Sequence, residues 1–456
     1  MRPNILFAFA DDWSWPQSHL VKDPVVKTPT YDRLAREGVA FRNAYVSAPS
    51  CTPSRGAILT GQYHWRLEEG GNLWSILPAK FPVYPDALEG AGYHVGFCRK
   101  GWGPGNDRGG GRKRNAAGNR YRSFKDFLAK RPQGAPFCFW FGSHDPHRGY
   151  KVNVGVASGM DPARVKLPAC LPDHPIVRRD LCDYYWEVQR FDRETGELLE
   201  LLEQSGELDN TLVVMSGDNG LPFPRCKSNL YDTGTRVPLV VRWAAKAKGG
   251  RVVDDFVSLC DLAPTFLEAA GLKPLPGMTA RSFLGVLLSV KRGQVDPSRD
   301  HVLTGKERHT CAQRGTTEGY PCRAIRTHRF LYIRNFKPHL WPAGTPEDYR
   351  DVDGSPTKSF MMAHRDEPAV KPLFALAFGK HPAEELYDLA KDPDQLHNVA
   401  ADPAYAAARK KLAAQLMAEL RATADPRVLG KGDLFDAYPY GGRRSPRKRK
   451  PKKKRS

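Results

Sequence analysis

The sequence predicts an α/β fold in which a mainly parallel sheet is sandwiched between helices. The first observation is that strand-like apolar runs alternate with helix-like segments from residue 4 to about residue 290. The second is the composition, since 41% hydrophobic and 26% charged residues are usual for a globular protein. The third is the length, because 456 residues can bury a sizeable core without cross-links.

The first part of the chain supplies the elements of this sheet and its helices. The predicted strands span residues 5–10, 94–98, 137–141, 211–216 and 238–242. The predicted helices span residues 30–37, 55–60, 82–91, 181–204 and 260–270. We therefore expect one large domain over residues 1–300.

The pattern changes after residue 300. Residues 322–336 predict two strands around a turn, residues 384–389 predict another strand, and residues 404–423 have the Ala- and Leu-rich spacing of a helix. We expect a smaller α+β domain over residues 301–440, followed by a basic, disordered tail over residues 441–456.

Charge and cysteine content exclude several classes of protein. The net charge is +20, and residues 443–456 carry ten Lys or Arg and no acid, which is typical of a solvated tail or of a tether for polyanions. No motif for specific nucleic-acid recognition is visible. The nine cysteines form no CxxC pair, which argues against a zinc ribbon, a thioredoxin-like site or a disulfide framework.

No apolar run reaches the ~20 residues needed to cross a bilayer, so we expect no transmembrane segment. The first ten residues predict a buried strand and not a signal peptide. The sequence leaves open the cellular compartment and the oligomeric state.

Polar residues follow three of the predicted strands. Asp11 and Asp12 follow the first, His144 and His147 follow the strand at 137–141, and Asp218 with Asn219 follows the strand at 211–216. Ligands of open α/β sheets bind beyond the carboxyl ends of the strands, so these residues should converge on one rim.

The acidic residues of this rim predict a metal site. Adjacent carboxylates at a strand end are unfavourable without a cation, and Asp and Asn oxygens suit Ca²⁺ or Mg²⁺. The alternative is that Asp11 and Asp12 cap the next helix, while Asp218 and Asn219 belong to a simple turn.

Cys51 opens the stretch Cys-Thr-Pro-Ser-Arg, followed by Thr60 and Gly61. At the start of a helix its thiol pKa is expected to be lowered. It could be a small buried residue or an ordinary thiol nucleophile. The whole string, however, resembles the sulfatase signature C-x-P-x-R with T-G beyond it, which is more specific than either reading.

The resemblance to the sulfatase family extends over most of the chain. It includes the opening strand with its two Asp residues, the stretch from Thr28 to Phe41, the Asp-Asn-Gly at 218–220 and the strand at 385–389. The segments 144–148, 218–224 and 229–231 resemble the heparan N-sulfatase (sulfamidase) branch. This implies an alkaline-phosphatase-like fold and a periplasmic, secreted or lysosomal setting, which is usual for the family.

The resemblance also implies a role for each site residue. A separate maturation enzyme would oxidise Cys51 to formylglycine, whose hydrate attacks sulfur and later expels sulfate. Arg55 would hold that hydrate, Lys100 and Lys227 would bind sulfate oxygens, and His147 would protonate the leaving atom. His144 and Arg148 would line the substrate pocket. The ligands of Ca²⁺, or of Mg²⁺ as an alternative, would be Asp11, Asp12, Asp218, Asn219 and the modified residue 51.

Two positions depart from the family pattern. Most sulfatases have a His shortly after the first lysine, whereas Lys100 is followed by Gly-Trp-Gly. This leaves Arg99 as an alternative to Lys100 and leaves the base for sulfate release unassigned. Lys227 stands where the sulfamidase branch has Arg, so the charge is kept without the bidentate fork.

The sequence thus predicts a sulfatase that acts on a sulfate ester or sulfamate of a sulfated carbohydrate such as N-sulfoglucosamine. Two alternatives remain open. One is a phosphonate or phosphate ester hydrolase of the same superfamily. The other is a polyanion-binding protein without turnover.

Overall fold

The computed structural model describes residues 2–15, 17–18 and 21–442. Its main feature is an eight-stranded sheet with the strand order β4-β3-β5-β1-β6-β7-β2-β8. The strands are β1 (Asn4–Ala10), β2 (Val39–Tyr45), β3 (His94–Arg99), β4 (Asn119–Arg120), β5 (Phe137–Gly142), β6 (Thr211–Gly217), β7 (Leu239–Arg242) and β8 (Arg251–Ser258).

The sheet is mainly parallel, as predicted. Strand β1 lies at its centre, is buried over its whole length and pairs in parallel with β5 and β6. Its continuous apolar sequence is the form expected of a strand covered on both faces. Strand β7 is antiparallel to β6 and β2. An antiparallel strand in an otherwise parallel sheet is a common arrangement in α/β proteins.

Helices pack on both faces of this sheet and complete the predicted sandwich. One apolar core contains residues of the first and sixth helices, and the other contains residues of the second, third and eighth. The helices up to residue 288 are α1 (Pro29–Glu37), α2 (Cys51–Thr60), α3 (Tyr84–Gly90), α4 (Phe124–Ala129), α5 (Val154–Ala157), α6 (Pro175–Gln204), α7 (Asp232–Thr235), α8 (Leu262–Ala269) and α9 (Leu284–Leu288).

A four-stranded antiparallel sheet follows, with the order β12-β11-β10-β9. Its strands are β9 (His301–Lys306), β10 (Cys322–Thr327), β11 (Phe330–Asn335) and β12 (Glu384–Asp388). The remaining helices are α10 (Pro356–Ala363), α11 (Lys371–Phe378), α12 (Ala406–Ala422) and α13 (Leu434–Ala437). Leucines of α12 pack on Ile325 and Tyr332 of this sheet, which confirms the smaller α+β unit.

The structure corrects several predicted elements. Helix α2 begins at Cys51 and not at residue 55, and α6 begins at Pro175 and not at residue 181. Proline is favourable in the first helical turn, and His174 accepts a hydrogen bond as the N-cap of α6. Strands β2, β4, β8 and β9 were not predicted.

Within the described part of the chain, no helix has the length and apolar character needed to span a membrane. The predicted disordered tail over residues 441–456 lies outside the described residues from residue 443 onward.

Candidate active site

The candidate site lies at the carboxyl edge of the large sheet, where β3, β5, β1 and β6 are neighbours. Backbone hydrogen bonds tie the residues beyond these strands together. The N–H of Asp11 donates to the carbonyl of Asp145 at 2.9 Å, and that of Asp218 donates to the carbonyl of Ala10 at 3.1 Å. Lys100 N donates to the last residue of β5 at 2.9 Å. The predicted convergence of the strand ends is therefore present.

Four buried side chains form the centre of the site. Ligand atoms of Asp11, Asp12, Cys51 and Asp218 all lie within 4.8 Å of one another. Asp12 has a left-handed backbone with a φ of 77°, a conformation in which Asp is enriched. This turn directs the chain after β1 so that two consecutive carboxylates belong to one cluster.

The cluster fits a hard divalent cation. Asn219 Nδ2 donates to Asp12 Oδ1 at 2.5 Å, while Asn219 Oδ1 is buried and accepts no hydrogen bond from any described residue. Burial, and then the charge of Asp11, raises the pKa of Asp218 to about 6. Crowded carboxylates and an unpaired amide oxygen are the donor set that Ca²⁺ or Mg²⁺ stabilises.

Cys51 is the first residue of α2, and its Sγ lies 3.3 Å from Asp11 Oδ1. The expectation of a lowered thiol pKa was wrong. Burial, followed by the charges of Asp11 and Asp218, raises the pKa of Cys51 well above its ordinary value. The unmodified side chain is therefore a neutral thiol and a poor nucleophile at neutral pH.

Arg55 lies one turn along α2 from Cys51, as predicted, and has no exposed surface. Its Nε donates to Asp218 Oδ2 at 2.7 Å, and its Nη1 donates to the carbonyls of Lys100 and Gly101, both at 3.0 Å. Its Nη2 is buried without a hydrogen-bond partner among the described residues and lies 3.5 Å from Asp11 Oδ1. One N–H group of the guanidinium thus remains available to an atom bound at the site.

Two lysines are paired with carboxylates of the cluster. Lys100 Nζ lies 2.5 Å from Asp11 Oδ2, and Lys227 Nζ lies 2.8 Å from Asp12 Oδ2. Burial opposes their charged forms, but the neighbouring carboxylates prevail and raise the pKa of each lysine. Both ammonium groups are therefore cationic at neutral pH.

The structure distinguishes between Lys100 and Arg99 as the candidate sulfate-binding residue at the end of β3. The guanidinium of Arg99 forms two hydrogen bonds with Glu194 of α6, at 2.5 and 2.9 Å. Lys100 therefore reaches the carboxylate cluster, while Arg99 is engaged in an ion pair with a helix.

The two histidines occupy different positions. A ring nitrogen of His147 lies within 4.8 Å of ligand atoms of both Asp11 and Cys51, and Nδ1 is 3.1 Å from the carbonyl of Arg148. A carbonyl only accepts, so this contact assigns the Nδ1 hydrogen and leaves Nε2 to face a ligand. His144 has an exposed side chain that lines the adjoining cavity, and partial desolvation by the surrounding protein lowers its pKa.

Arg148 also lines this cavity, but its charge is already paired. Its guanidinium forms two hydrogen bonds with Asp180, at 2.5 and 3.1 Å, and lies 4.1 Å from the ring centroid of Phe223. In the cavity wall, Arg148 therefore mainly holds the loop after β5 against α6.

The cavity beside the cluster has a volume of about 520 Å³. It is lined by residues that follow β1, β3 and β5, by one residue of the segment between α2 and α3, and by residues of α6, namely Asp11, Trp74, Lys100, Gly103, Pro104, His144, Asp145, His147, Arg148, Gly149, Glu187 and Arg190. A cavity of this size suits a small organic ligand.

Sequence reasoning missed four polar residues of this region. Asp353 Oδ2 lies 3.2 Å from Lys227 Nζ, and His309 Nδ1 lies 2.8 Å from the hydroxyl of Ser50, next to Cys51. Burial would raise the pKa of Asp353, but Lys227 and nearby histidines lower it to about 2. Glu187 and Arg190 are charged residues on the inner side of α6. His309 follows β9 closely, so the strand-end rule would have indicated it had that strand been predicted.

Comparisons with known proteins agree with this geometry. The sequence model described as Sulfatase matches residues 3–272, and the model described as N-sulphoglucosamine sulphohydrolase, C-terminal, matches residues 225–341. Human N-sulphoglucosamine sulphohydrolase is 30% identical over 486 residues, which covers 95% of this chain and 93% of the relative. An ulvan-active sulfatase of Formosa agariphila is 27% identical over 512 residues, with 98% and 79% covered.

Solved structures confirm the alkaline-phosphatase-like fold. A structure of a protein with its substrate D-glucosamine-2-N,6-O-disulfate has a TM-score of 0.67 at 18% identity and covers 93% of this chain and 99% of that chain. The phosphonate monoester hydrolase of Agrobacterium radiobacter has a TM-score of 0.69 at 20% identity, with 94% and 97% covered. The sulfatase model spans more than half of the chain and the human relative aligns with nearly all of it, so the chain belongs to the sulfatase family.

Proposed function

We propose that this sulfatase removes sulfate from a sulfated carbohydrate, with N-sulfoglucosamine or a related sugar as the sulfated residue. The observation that carries the proposal is the contact of Cys51 Sγ with Asp11 Oδ1 at 3.3 Å, inside a buried cluster of three carboxylates. A residue-51 aldehyde at this position would adjoin the metal site and the cavity together.

In this proposal the site holds Ca²⁺, with Mg²⁺ as an alternative. The ligands are Asp11, Asp12, Asp218, Asn219 and the modified residue 51. When bound, the cation offsets the negative charge of the carboxylates and favours the ionised form of an oxygen on residue 51. The unpaired Asn219 Oδ1 and the raised pKa of Asp218 support this set of ligands.

A formylglycine-generating maturation enzyme is the implied partner. Formylglycine supplies a hydrated aldehyde, whose two geminal oxygens allow sulfate to be taken up and then released, which a serine hydroxyl could not do. The neutral thiol expected of unmodified Cys51 supports the need for this modification.

The other side chains bind and orient the reacting groups. Arg55 Nη2, which lacks a partner among the described residues, donates to an oxygen on residue 51. Lys100 and Lys227 bind sulfate oxygens as negative charge develops. In its imidazolium form, with the Nδ1 hydrogen held by the carbonyl of Arg148, His147 gives the Nε2 proton to the departing sugar oxygen or nitrogen.

The substrate class rests on the relatives and on the cavity. The human relative is named for N-sulphoglucosamine and the Formosa relative for ulvan, so both names concern sulfated carbohydrates. The cavity of about 520 Å³ opens next to Lys100 and His147 and is lined by both charged and aromatic side chains. Such a mixture is suited to a polar sugar ring.

We further propose a catalytic domain over residues 1–300 and an α+β domain over residues 301–440. The start of β9 at His301 supports this boundary. Residues 441–456, with their basic sequence, would remain available to polyanions.

The experiment is a comparison of aryl ester hydrolysis by protein produced together with the maturation enzyme. We expect turnover of nitrophenyl sulfate, much lower efficiency on nitrophenyl phosphate, and no turnover by a Cys51→Ala variant. Higher efficiency on the phosphate or a phosphonate ester would favour the alternative hydrolase. No turnover of any ester by fully modified protein would favour a polyanion-binding protein.

A further inference from the structure

Three charged side chains that the proposed mechanism does not use also line the cavity: Asp145, Glu187 and Arg190. Asp145 follows β5, and the other two lie one turn apart on α6. Arg190 Nε donates to Asp145 Oδ2 at 2.5 Å, and its Nη2 donates to the other oxygen of the same carboxylate. The cluster therefore joins α6 to the end of β5 and forms part of the cavity surface.

Glu187 offers the cavity an unsatisfied acceptor. Its side chain is only 8% exposed, and its Oε2 lies 2.6 Å from Arg190 Nη2 but has no partner with hydrogen-bond geometry among the described residues. Burial, together with the charge of Asp145, raises the pKa of Glu187 to about 7. Buried polar atoms are normally hydrogen-bonded, so this oxygen is suited to a donor that enters with a ligand.

The charges of the cavity are unevenly distributed. Lys100 and His147 adjoin the carboxylate cluster where the sulfate is expected, whereas the guanidinium of Arg190 is already paired with Asp145 and lies beside Glu187, which leaves no net positive charge in that part of the cavity. A hydroxyl group can donate to Glu187 and accept from Arg190. A second sulfate has only acceptors and would meet the carboxylates, and an ammonium group has only donors and would meet the guanidinium.

Trp74 lines the same cavity and is 37% exposed. Its indole, together with Pro104, adds apolar surface to a wall that also carries charged side chains. A pyranose ring has this combination of properties, since its hydroxyls are polar and its ring carbons are apolar.

We propose that Asp145, Glu187 and Arg190 form a hydroxyl-binding subsite that selects a sugar with one sulfate and a free hydroxyl beside it. The inference rests on the proposed function and specifies its substrate class: a monosulfated sugar is accepted, and a second sulfate on the neighbouring hydroxyl is rejected.

The test measures kcat/KM of the modified protein on nitrophenyl sulfate, on a panel of monosulfated sugars headed by glucosamine N-sulfate, and on each sugar with a second sulfate on the neighbouring hydroxyl. The variants are Glu187→Ala and Glu187→Gln, with Glu200→Ala as the matched control, because Glu200 lies on the same helix and is exposed.

Wild type is expected to prefer the best monosulfated sugar over its disulfated form by at least about tenfold. Glu187→Ala should lower the ratio of sugar-sulfate to aryl-sulfate efficiency by about tenfold, which is the usual effect of removing one hydrogen bond to a charged group. Glu187→Gln, which keeps the side-chain shape, should reduce the ratio of kcat/KM on the monosulfated sugar to kcat/KM on its disulfated form. Glu200→Ala should leave both ratios unchanged.

The outcomes separate this inference from the proposed function. If wild type hydrolyses nitrophenyl sulfate but cleaves monosulfated and disulfated sugars equally well, or cleaves neither, the subsite is refuted and the sulfatase activity stands. Unchanged ratios in both Glu187 variants would refute it as well. If nitrophenyl sulfate and every sugar sulfate are left intact by fully modified wild type, the proposed function itself fails.

Discussion

Arg55 is buried among three acceptors that a lysine could not satisfy together. Its Nε binds Asp218, and its Nη1 binds the carbonyls of Lys100 and Gly101. In an Arg55→Lys variant the single ammonium can remain beside Asp218. The carbonyl of Lys100 keeps a donor in the indole of Trp140, whereas the carbonyl of Gly101 loses the only side-chain donor found for it among the described residues.

The free energy of unfolding should therefore fall by about 2–4 kcal/mol. About 1–3 kcal/mol comes from the unpaired Gly101 carbonyl and about 1 kcal/mol from the second lost hydrogen bond. The kcat on nitrophenyl sulfate should also fall by about a hundredfold, because Arg55 Nη2 no longer donates at residue 51.

The assay is urea unfolding in calcium-containing buffer, followed by tryptophan fluorescence, with Arg99→Lys as the control. Arg99 makes a bidentate pair with Glu194, but its side chain is 38% exposed, so this variant should lose less than about 1 kcal/mol. If both variants lose the same free energy of unfolding, burial is not what makes the hydrogen bonds of the Arg55 guanidinium important.

Three further predictions concern the metal, the acid and the pH dependence of stability. Excess EDTA should abolish turnover and added Ca²⁺ should restore it; an undiminished rate in the chelator would exclude a metal at the carboxylate cluster. His147→Ala should slow sugar sulfates more than nitrophenyl sulfate, whose leaving group needs no proton, and equal losses would remove His147 from the acid role. Burial lowers the pKa of His309 to about 4 from its ordinary 6.5, so the unfolded chain binds the extra proton between these values. The folded state should therefore lose about 3 kcal/mol of stability relative to pH 7 as the pH falls from 6.5 to 4. In urea unfolding across this range, His309→Gln should show a correspondingly weaker acid dependence, and an unchanged dependence would contradict the assignment.

The fold was predictable where local sequence and burial agree. Strand β1 is a continuous apolar run because it is covered on both faces, and its position next to β5 and β6 follows from the same burial. The strands that sequence reasoning missed, β2, β4, β8 and β9, all contain polar residues. In β2, Asn43 Nδ2 donates to the carbonyl of Asp254 in β8 at 2.7 Å, and Asp255 accepts from two backbone N–H groups. These polar residues are stabilised by partners that a single sequence cannot indicate.

The same contrast applies to the site. Asp11, Cys51 and Asp218 belong to motifs at strand ends or at a helix start, so the sequence could indicate that they meet. Glu187 lies on a long helix where a charged residue ordinarily faces solvent, and only the packing of α6 against the end of β5 turns it into the cavity. Asp353 lies in an irregular segment and becomes part of the site through tertiary contact with Lys227.

The most direct test measures nitrophenyl sulfate turnover against the fraction of residue 51 present as aldehyde, determined by mass spectrometry on the same preparations. If the reactive group is an oxidised side chain beside a bound divalent ion, turnover should rise in proportion to the aldehyde fraction and vanish when only thiol is present. Full activity in protein whose Cys51 remains an unmodified thiol would contradict the account.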